Sequence, residues 1–548
     1  MRVFLAAGAG AAALLAGCNN SEVDVRIGDN RVQVSENEPD AGAKLAEAIA
    51  DTASRRGLGE KVMAGQISPS EAVATYLEAI EVLDHTGPAL QSVLALNPSA
   101  LDDAKAGAEG ALGGLPILIK DNIETKELPT TAGSLALADN DTGRDAPAVA
   151  RLRSAGAIIL GKTNLSEWAN FRSSQSSSGW SGMGGQTKNP HDLRRSPCGS
   201  SSGSGAAVAA GLAWAALGSE TNGSVICPSA FNGIVGFKPT VGLVPRTHVV
   251  PISPTQDTIG PMTTSVADAA LLLTVMAGSD PADPATVEAD ARKVNYVQAL
   301  GAASLSGVRL GVLNWARSSD PREDAVFDQA LARAEAEGAI LVDIDAYGGE
   351  SLGGDAFLVL KAEFKDALDA YLRGAAPTVT VRTLSDLIAF NAETPRETEL
   401  FGQDILIDSQ ATGGMDDADY QRAVANTLST TGPEGIDRLL SAYDVELLVA
   451  PSTGPAFLID PVRGDIDSSD AGAGWLAAIA GYPHLTVPMG GVGGLPLGLS
   501  IIGTKWDDAA VLRTGQAFED ILPEPLVPTF RDGAATDEAI AEALKPFE

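Results

Sequence analysis

Histidine and cysteine are scarce in this chain, with four and three copies in 548 residues. The histidines stand apart at His85, His191, His248 and His484, and the cysteines are Cys18, Cys198 and Cys227. Neither set has the spacing of a zinc site, so no metal centre is expected and no cofactor is called for. Once Cys18 is set aside, two cysteines make no disulfide framework. Aromatic residues are only 5 % of a chain that is 45 % hydrophobic, so the core must be built from Ala, Val, Leu and Ile. Such a composition suits a globular fold and argues against disorder. Basic side chains are outnumbered by acidic ones, 38 to 71, for a formal net charge of −33. A surface of that sign repels phosphate backbones and anionic lipid over a Debye length, which removes nucleic acid from the expected partners.

The one targeting signal is N-terminal. Arg2 is followed by an Ala/Leu-rich stretch from Val3 to Ala16 and by Leu15-Ala16-Gly17-Cys18. About fifteen apolar residues are too few to span a bilayer comfortably. The ending resembles the lipobox of bacterial lipoproteins, in which Cys18 is acylated and becomes the new N-terminus; an ordinary cleaved signal with an incidental cysteine is the alternative. A single acyl chain anchors weakly, so the lipobox implies several. The expected division is a signal peptide over 1–17, a polar tether over 18–40 and the enzyme domain over 41–548. Export to the bacterial cell envelope follows, as a lipoprotein or a periplasmic protein, with the membrane touched only through the lipid.

Order is expected to begin after the tether. Ser68-Pro69-Ser70-Glu71 reads as a capping box with proline at the first helical position, and Val73, Leu77, Ile80 and Leu83 share one face of the helix it opens. Leu115-Pro116-Ile117-Leu118-Ile119 is an apolar run that ends at Lys120-Asp121-Asn122, as a buried strand does on entering a cleft. Ala148 to Gly156 reads as a helix before a strand from Ala157 to Leu160. The same alternation recurs at Ala206–Leu217, Val445–Ala450 and Leu497–Ile502, which argues for an α/β sheet with helices on its faces. Between Asn170 and Gly205 the Ser/Gly-rich chain reads as loops, Gly278 to Val294 as a connector, and Pro321 to Ser441 as an acidic helical region.

Chemistry concentrates in Cys198-Gly199-Ser200-Ser201-Ser202-Gly203-Ser204-Gly205 and Gly218-Ser219-Glu220-Thr221-Asn222-Gly223-Ser224. Small residues let backbone N–H groups face a ligand, and consecutive free N–H groups form the nest that an oxyanion hole needs. A Gly/Ser-rich loop alone can be a linker or turn, but this one runs into an Ala-rich helix. A phosphate-cradling loop lacks its Gly-Lys-Ser/Thr ending here. Gly199-Ser200-Ser201-Ser202-Gly203 also has G-x-S-x-G spacing, with Ser201 as nucleophile and His484 as base. That elbow must follow a buried strand, and His191 to Pro197 is too polar to make one.

Taken in order, these segments closely resemble the amidase signature family over nearly the whole mature chain. Gly114 to Asn122 resembles its catalytic-lysine segment. Gly161-Lys162-Thr163-Asn164 with Ser166-Glu167-Trp168 is similar to the stretch beside its substrate. Gly199 to Gly205 and Glu220 to Ser224 resemble the signature itself, continued by Gly233 to Thr240 and Asp257 to Met262, and Ala480 to Gly490 resembles the family's C-terminal strand region. The resemblance implies an α/β fold of one large, mixed, twisted β-sheet covered by helices on both faces. It also implies a hydrolase of carboxamide C–N bonds with Lys120 as base, Ser200 as bridging serine and Ser224 as nucleophile. Backbone N–H groups of Thr221, Asn222, Gly223 and Ser224 would line the oxyanion hole, with Gly199, Ser201 and Glu220 in support and a cis peptide between Gly199 and Ser200. Glu220 where Asp is common, Asn222 where Gly is common, and Leu243 where many members carry Arg resemble the branch of bacterial peptide amidases. Peptide C-terminal amides are then the expected substrates.

An amide resists attack because resonance strengthens its C–N bond, so the reaction needs an activated nucleophile, a stabilised oxyanion and a protonated leaving nitrogen. Lysine acts as base near neutrality only if its surroundings lower its pKa well below about 10.4. Two other readings are carried: the A-type component of the amidotransferase that amidates misacylated tRNA, and a non-catalytic binding protein of the same fold. A lipobox and the −33 charge weigh against a tRNA partner, and the complete triad weighs against a degenerate member. The acyl pocket is expected between Trp168 and Gln175 and from helices between Pro321 and Ser441.

Overall fold

The computed structural model describes residues 22–27, 30–35, 41–349, 352–467, 469–536, 541–542 and 544–546. The expected signal peptide and Cys18 lie outside them. Within the expected tether, Glu22–Ile27 and Asn30–Ser35 pair as an antiparallel two-stranded ribbon. Val23, Val25, Ile27, Val32 and Val34 recur at every second position, a strand period hidden among the polar residues.

Ser68 caps the helix Pro69–Ala79, and both halves of the capping box form: Glu71 N–H donates to Ser68 Oγ, and Ser68 N–H donates to Glu71 Oε2. Val73, Ile80 and Leu83 are buried and Leu77 is half-buried, as the periodicity requires. The helix loosens into a wider π-type turn over Ile80–Thr86.

Eleven strands make one sheet. From one edge the order is Ile340–Ile344, Arg309–Leu313, Leu447–Pro451, Leu495–Ile502, His484–Val492, Val235–Lys238, Thr258–Thr263, Ala215–Glu220, Pro116–Lys120, Ile158–Thr163 and Val93–Leu96. Pairing is parallel at two places, among the first three strands and among Ala215–Glu220, Pro116–Lys120 and Ile158–Thr163, and antiparallel elsewhere. Every residue of Pro116–Lys120, Ile158–Thr163 and Ala215–Glu220 is buried, because helices cover both faces. These strands therefore open on apolar runs, Ile117–Ile119, Ile158–Leu160 and Ala215–Leu217, without alternation, and turn polar only towards their C-terminal ends.

Three expectations are corrected. The acidic helical region contains the edge strand Ile340–Ile344, whose exposed Ile340 and Asp343 blur its pattern. The Ser/Gly loop ends earlier than expected, since the helix Ser202–Ala209 begins inside it. Gly and Ser are weak helix formers, but all eight residues of this helix are buried, so packing overrides propensity. Lastly, Cys198 and Cys227 form a disulfide with their Cα atoms 5.9 Å apart. Twenty-nine positions separate them in sequence, and only the fold reveals that they meet. Among the described residues no helix is long and apolar enough to cross a membrane.

Candidate active site

Lys120 is the last residue of an inner strand, third from one edge of the sheet, whose parallel neighbour carries Leu217 opposite Ile119. Two positions beyond Leu217, Ser219 meets the lysine side chain. Lys120 Nζ is fully buried and lies 2.7 Å from Ser200 Oγ, 3.0 Å from Ser219 O and 3.0 Å from Ser219 Oγ. Burial pushes its pKa down to about 7, against the pull of Asp257 and Glu220, whose negative charges favour the ammonium. A neutral amine has one lone pair and two hydrogens, which three such neighbours satisfy: it accepts from Ser200 and donates to Ser219.

Ser200 follows a cis peptide with Gly199, as the resemblance implies, and is itself fully buried. Its carbonyl accepts from Ser166 N–H at 3.1 Å. The next residue joins the two signature segments, with Ser201 N–H donating to Ser224 O at 3.1 Å. Ser224 is thereby held beside Ser200. Its hydroxyl has no hydrogen-bond partner among the described residues, and the residue keeps 8 % of its surface open.

From Thr221 to Ser224 the backbone turns outward. None of these four N–H groups donates to a protein acceptor among the described residues. Glu220 closes the turn from below: its Oε2 accepts from Val225 N–H at 2.7 Å and Ile226 N–H at 3.0 Å. Thr221 Oγ1 donates to Asp257 Oδ1 at 2.5 Å, and Gln256 Nε2 donates to Thr221 O at 3.2 Å. Gly223 has φ +80°, and a Cβ there would meet nothing within 4 Å, so the row faces open space. Unpaired donors rimming an opening beside a hydroxyl are suited to a developing oxyanion.

Ser201 is not placed as a G-x-S-x-G nucleophile. Its buried hydroxyl donates to Ser219 O at 3.2 Å and accepts from Ser219 N–H at the same distance. His484 pairs instead with Ser500 Oγ at 2.7 Å on the adjoining strand, and burial pushes its pKa down to about 3. No strand runs into Gly199, as the polar residues before it require.

Sequence reasoning missed Ser219 and Asn122 as site residues. Asn122 Nδ2 donates to Ser219 Oγ at 2.8 Å, so the two act on Lys120 as a unit. Both sit in motifs already singled out, and a period of two from Leu217 would have found Ser219. Beside them a narrow pocket is lined by Asn122, Ala169, Ser219, Thr221, Val250 and Asp257. Ala169 belongs to the expected wall, and the helix Asp355–Arg373 reaches that wall through Phe364, whose ring centroid is 5.1 Å from that of Phe171.

Known proteins with this arrangement fall in one family. The profile of the family described as Amidase matches residues 71–512. A probable amidase of Arabidopsis thaliana is 36 % identical over 476 residues, covering 83 % of this chain and 87 % of its own. The A-type component of the glutamyl-tRNA(Gln) amidotransferase of Methanococcoides burtonii is 35 % identical over 84 % of this chain and 95 % of its own. Among solved structures, the native peptide amidase from Stenotrophomonas maltophilia superposes with a TM-score of 0.81 at 44 % identity, covering 87 % of this chain and 98 % of that one.

Proposed function

The chain belongs to the amidase family and is a hydrolase of amide C–N bonds, and on that premise we propose that Ser224, Ser200 and Lys120 form its catalytic triad and that its substrates are peptide C-terminal amides. One observation carries the triad: a buried amine with a pKa near 7 lies 2.7 Å from Ser200 Oγ, and Ser200 precedes the residue that binds the Ser224 carbonyl.

The steps follow from the donors and acceptors. Neutral Lys120 takes the Ser200 proton as Ser200 takes that of Ser224, and the Ser224 oxygen bonds to the amide carbon. Charge on the carbonyl oxygen is met by the N–H groups of Thr221, Asn222, Gly223 and Ser224, which have no other protein acceptor among the described residues to give up. The proton returns through Ser200 to the nitrogen, ammonia departs and an ester on Ser224 remains. Water then repeats the route in the same sense, releasing the carboxylate and restoring the serine.

Support for peptide amides comes from the 44 % identity to the peptide amidase of S. maltophilia and from Glu220, Asn222 and Leu243. The amidotransferase relatives keep a transamidation reading alive, but the −33 charge and the lipobox-like N-terminus favour a peptide outside the cytosol. On the same grounds we read Cys18 as the lipidated residue of an envelope protein. A Cys18→Ser variant that stays in the membrane fraction removes that assignment. For the enzyme, Ser224→Ala is expected to lose both ammonia release from a peptide amide and labelling by a fluorophosphonate. Turnover retained by this variant overturns the nucleophile.

A further inference from the structure

Two segments must be held against each other for a serine on one to receive a proton from a serine on the other. The first, residues 198–202, carries Ser200, and the second, residues 220–227, carries Ser224. Ser200 is fastened on its own side, by Lys120 at 2.7 Å and by Ser166 N–H. Ser224 is fastened on the other, where Glu220 binds the N–H groups of Val225 and Ile226, and Cys227 N–H donates to Gly223 O at 2.8 Å. Directly across the gap run the Ser201 N–H to Ser224 O hydrogen bond and the Cys198–Cys227 disulfide. Passing from the first tie to the second moves three residues back along one segment, Ser201 to Cys198, and three forward along the other, Ser224 to Cys227. The segments therefore pass in opposite directions, and the two ties bracket Ser200.

We propose that the Cys198–Cys227 disulfide is a positioning element of this amidase, holding the Ser200 loop and the Ser224 turn in register for proton transfer. The proposal rests on the triad assignment above. Ser200 Oγ and Ser224 Oγ share no hydrogen bond of their own, so their separation depends on the ties. Cys198 has φ +59°, a left-handed backbone that a non-glycine residue holds only under constraint. Its carbonyl accepts from Ser202 Oγ at 2.6 Å, which carries the constraint into the helix behind Ser200. Phe231, Ala456 and Phe457 pack around the bond, while Cys227 stays half-buried and within reach of a small reductant. Without the disulfide the spacing of the two hydroxyls would rest on hydrogen bonds alone, from Ser201 N–H to Ser224 O, between Ser201 Oγ and the Ser219 backbone, and from Asn232 Nδ2 to Pro197 O, and a displacement of about 1 Å there costs roughly a hundredfold in rate.

The test compares the oxidised full-length chain, the same chain after phosphine reduction, and Cys198→Ser/Cys227→Ser. Each is assayed for kcat and KM on a peptide amide and for the rate of fluorophosphonate labelling, with circular dichroism and Tm recorded. Mass spectrometry locates the label and counts free thiols at Cys198 and Cys227. We expect the reduced and doubly substituted chains to remain folded, to lose at least about tenfold in both kcat and labelling rate, and to keep KM within about twofold. Kinetics within twofold of the oxidised chain overturn the proposal, and so does loss of fold in both forms, which would make the bond a general stabiliser. Labelling of the oxidised chain at a residue other than Ser224 overturns the triad assignment, and the proposal with it. A failure of the clamp alone leaves the Ser224 label in place and only its rate unchanged.

Discussion

Ser219 Oγ lies 3.0 Å from Lys120 Nζ and 2.8 Å from Asn122 Nδ2, so one hydroxyl at the end of a strand orients the buried amine. It accepts from both nitrogens. Removing it takes one hydrogen-bond acceptor from each of two buried donors.

Ser219→Ala is accordingly expected to lower kcat/KM by about 10- to 100-fold, the range for a hydrogen bond to a group that becomes charged. The lost acceptor stabilised the ammonium form, so the Lys120 pKa should fall further and the acid limb of the pH–rate profile should move to lower pH. An unaltered limb would remove Ser219 from its role.

In the native chain that limb should lie near pH 7. With Lys120 as the proposed base, kcat/KM is expected to rise as pH increases through about 7, where Lys120 loses its proton. Stability carries the same signature. Between about 7 and the unfolded value of 10.5 the unfolded lysine holds a proton that the native one has lost, so this residue makes stability rise with pH across that window. Below it, Lys120 burdens the fold in full. Lys120→Met should abolish turnover and flatten its share of the slope, as read from urea midpoints at pH 7 and 9.

Two glycines separate packing from catalysis. A Cβ on Gly203 would stand 2.2 Å from Ser92 O and 2.6 Å from Asn164 O, both backbone atoms that cannot withdraw. Gly203→Ala should therefore yield little folded protein. Gly223→Ala meets no neighbour and costs only the left-handed φ, about 1–2 kcal/mol. It should fold, melt slightly lower and lose amidase activity as the row of N–H groups turns. Equal melting temperatures for Gly203→Ala and the parent would refute the packing argument.

A second buried charge cluster braces the loops behind the site. Arg172 is wholly buried, donating from Nη1 to Glu167 Oε1 at 2.8 Å and to Glu397 Oε2 at 3.3 Å, with its guanidinium 4.1 Å from the Phe401 ring centroid. Glu397 Oε1 also accepts from Leu135 N–H at 2.7 Å. Glu397→Ala is expected to cost about 1–3 kcal/mol in urea unfolding, because it leaves the Leu135 N–H without its acceptor and the buried Arg172 with Glu167 in place of two carboxylates. A loss under about 1 kcal/mol would show that water or rearrangement replaces the carboxylate.

What could be read in advance follows from how locally each feature is encoded. The cap at Ser68 and the strand ending at Lys120 depend on a few adjacent residues, and both stand where the pattern puts them. The edge strand at Ile340 was legible only in part, since an edge buries one face and tolerates Asp343. Arg172 gave no sign of its burial, because its partners stand 5 and 225 positions away.

Chain order alone therefore determined the family and the sheet-forming runs and singled out Lys120, Ser200 and Ser224 as candidates, because motif and periodicity are properties of neighbouring residues. Tertiary structure decided what has no local signature: that Ser219 faces Lys120, that Cys198 meets Cys227, and that the amine is buried deeply enough to lose its proton near pH 7. Desolvation and cross-chain contacts arise only when distant segments exclude water together.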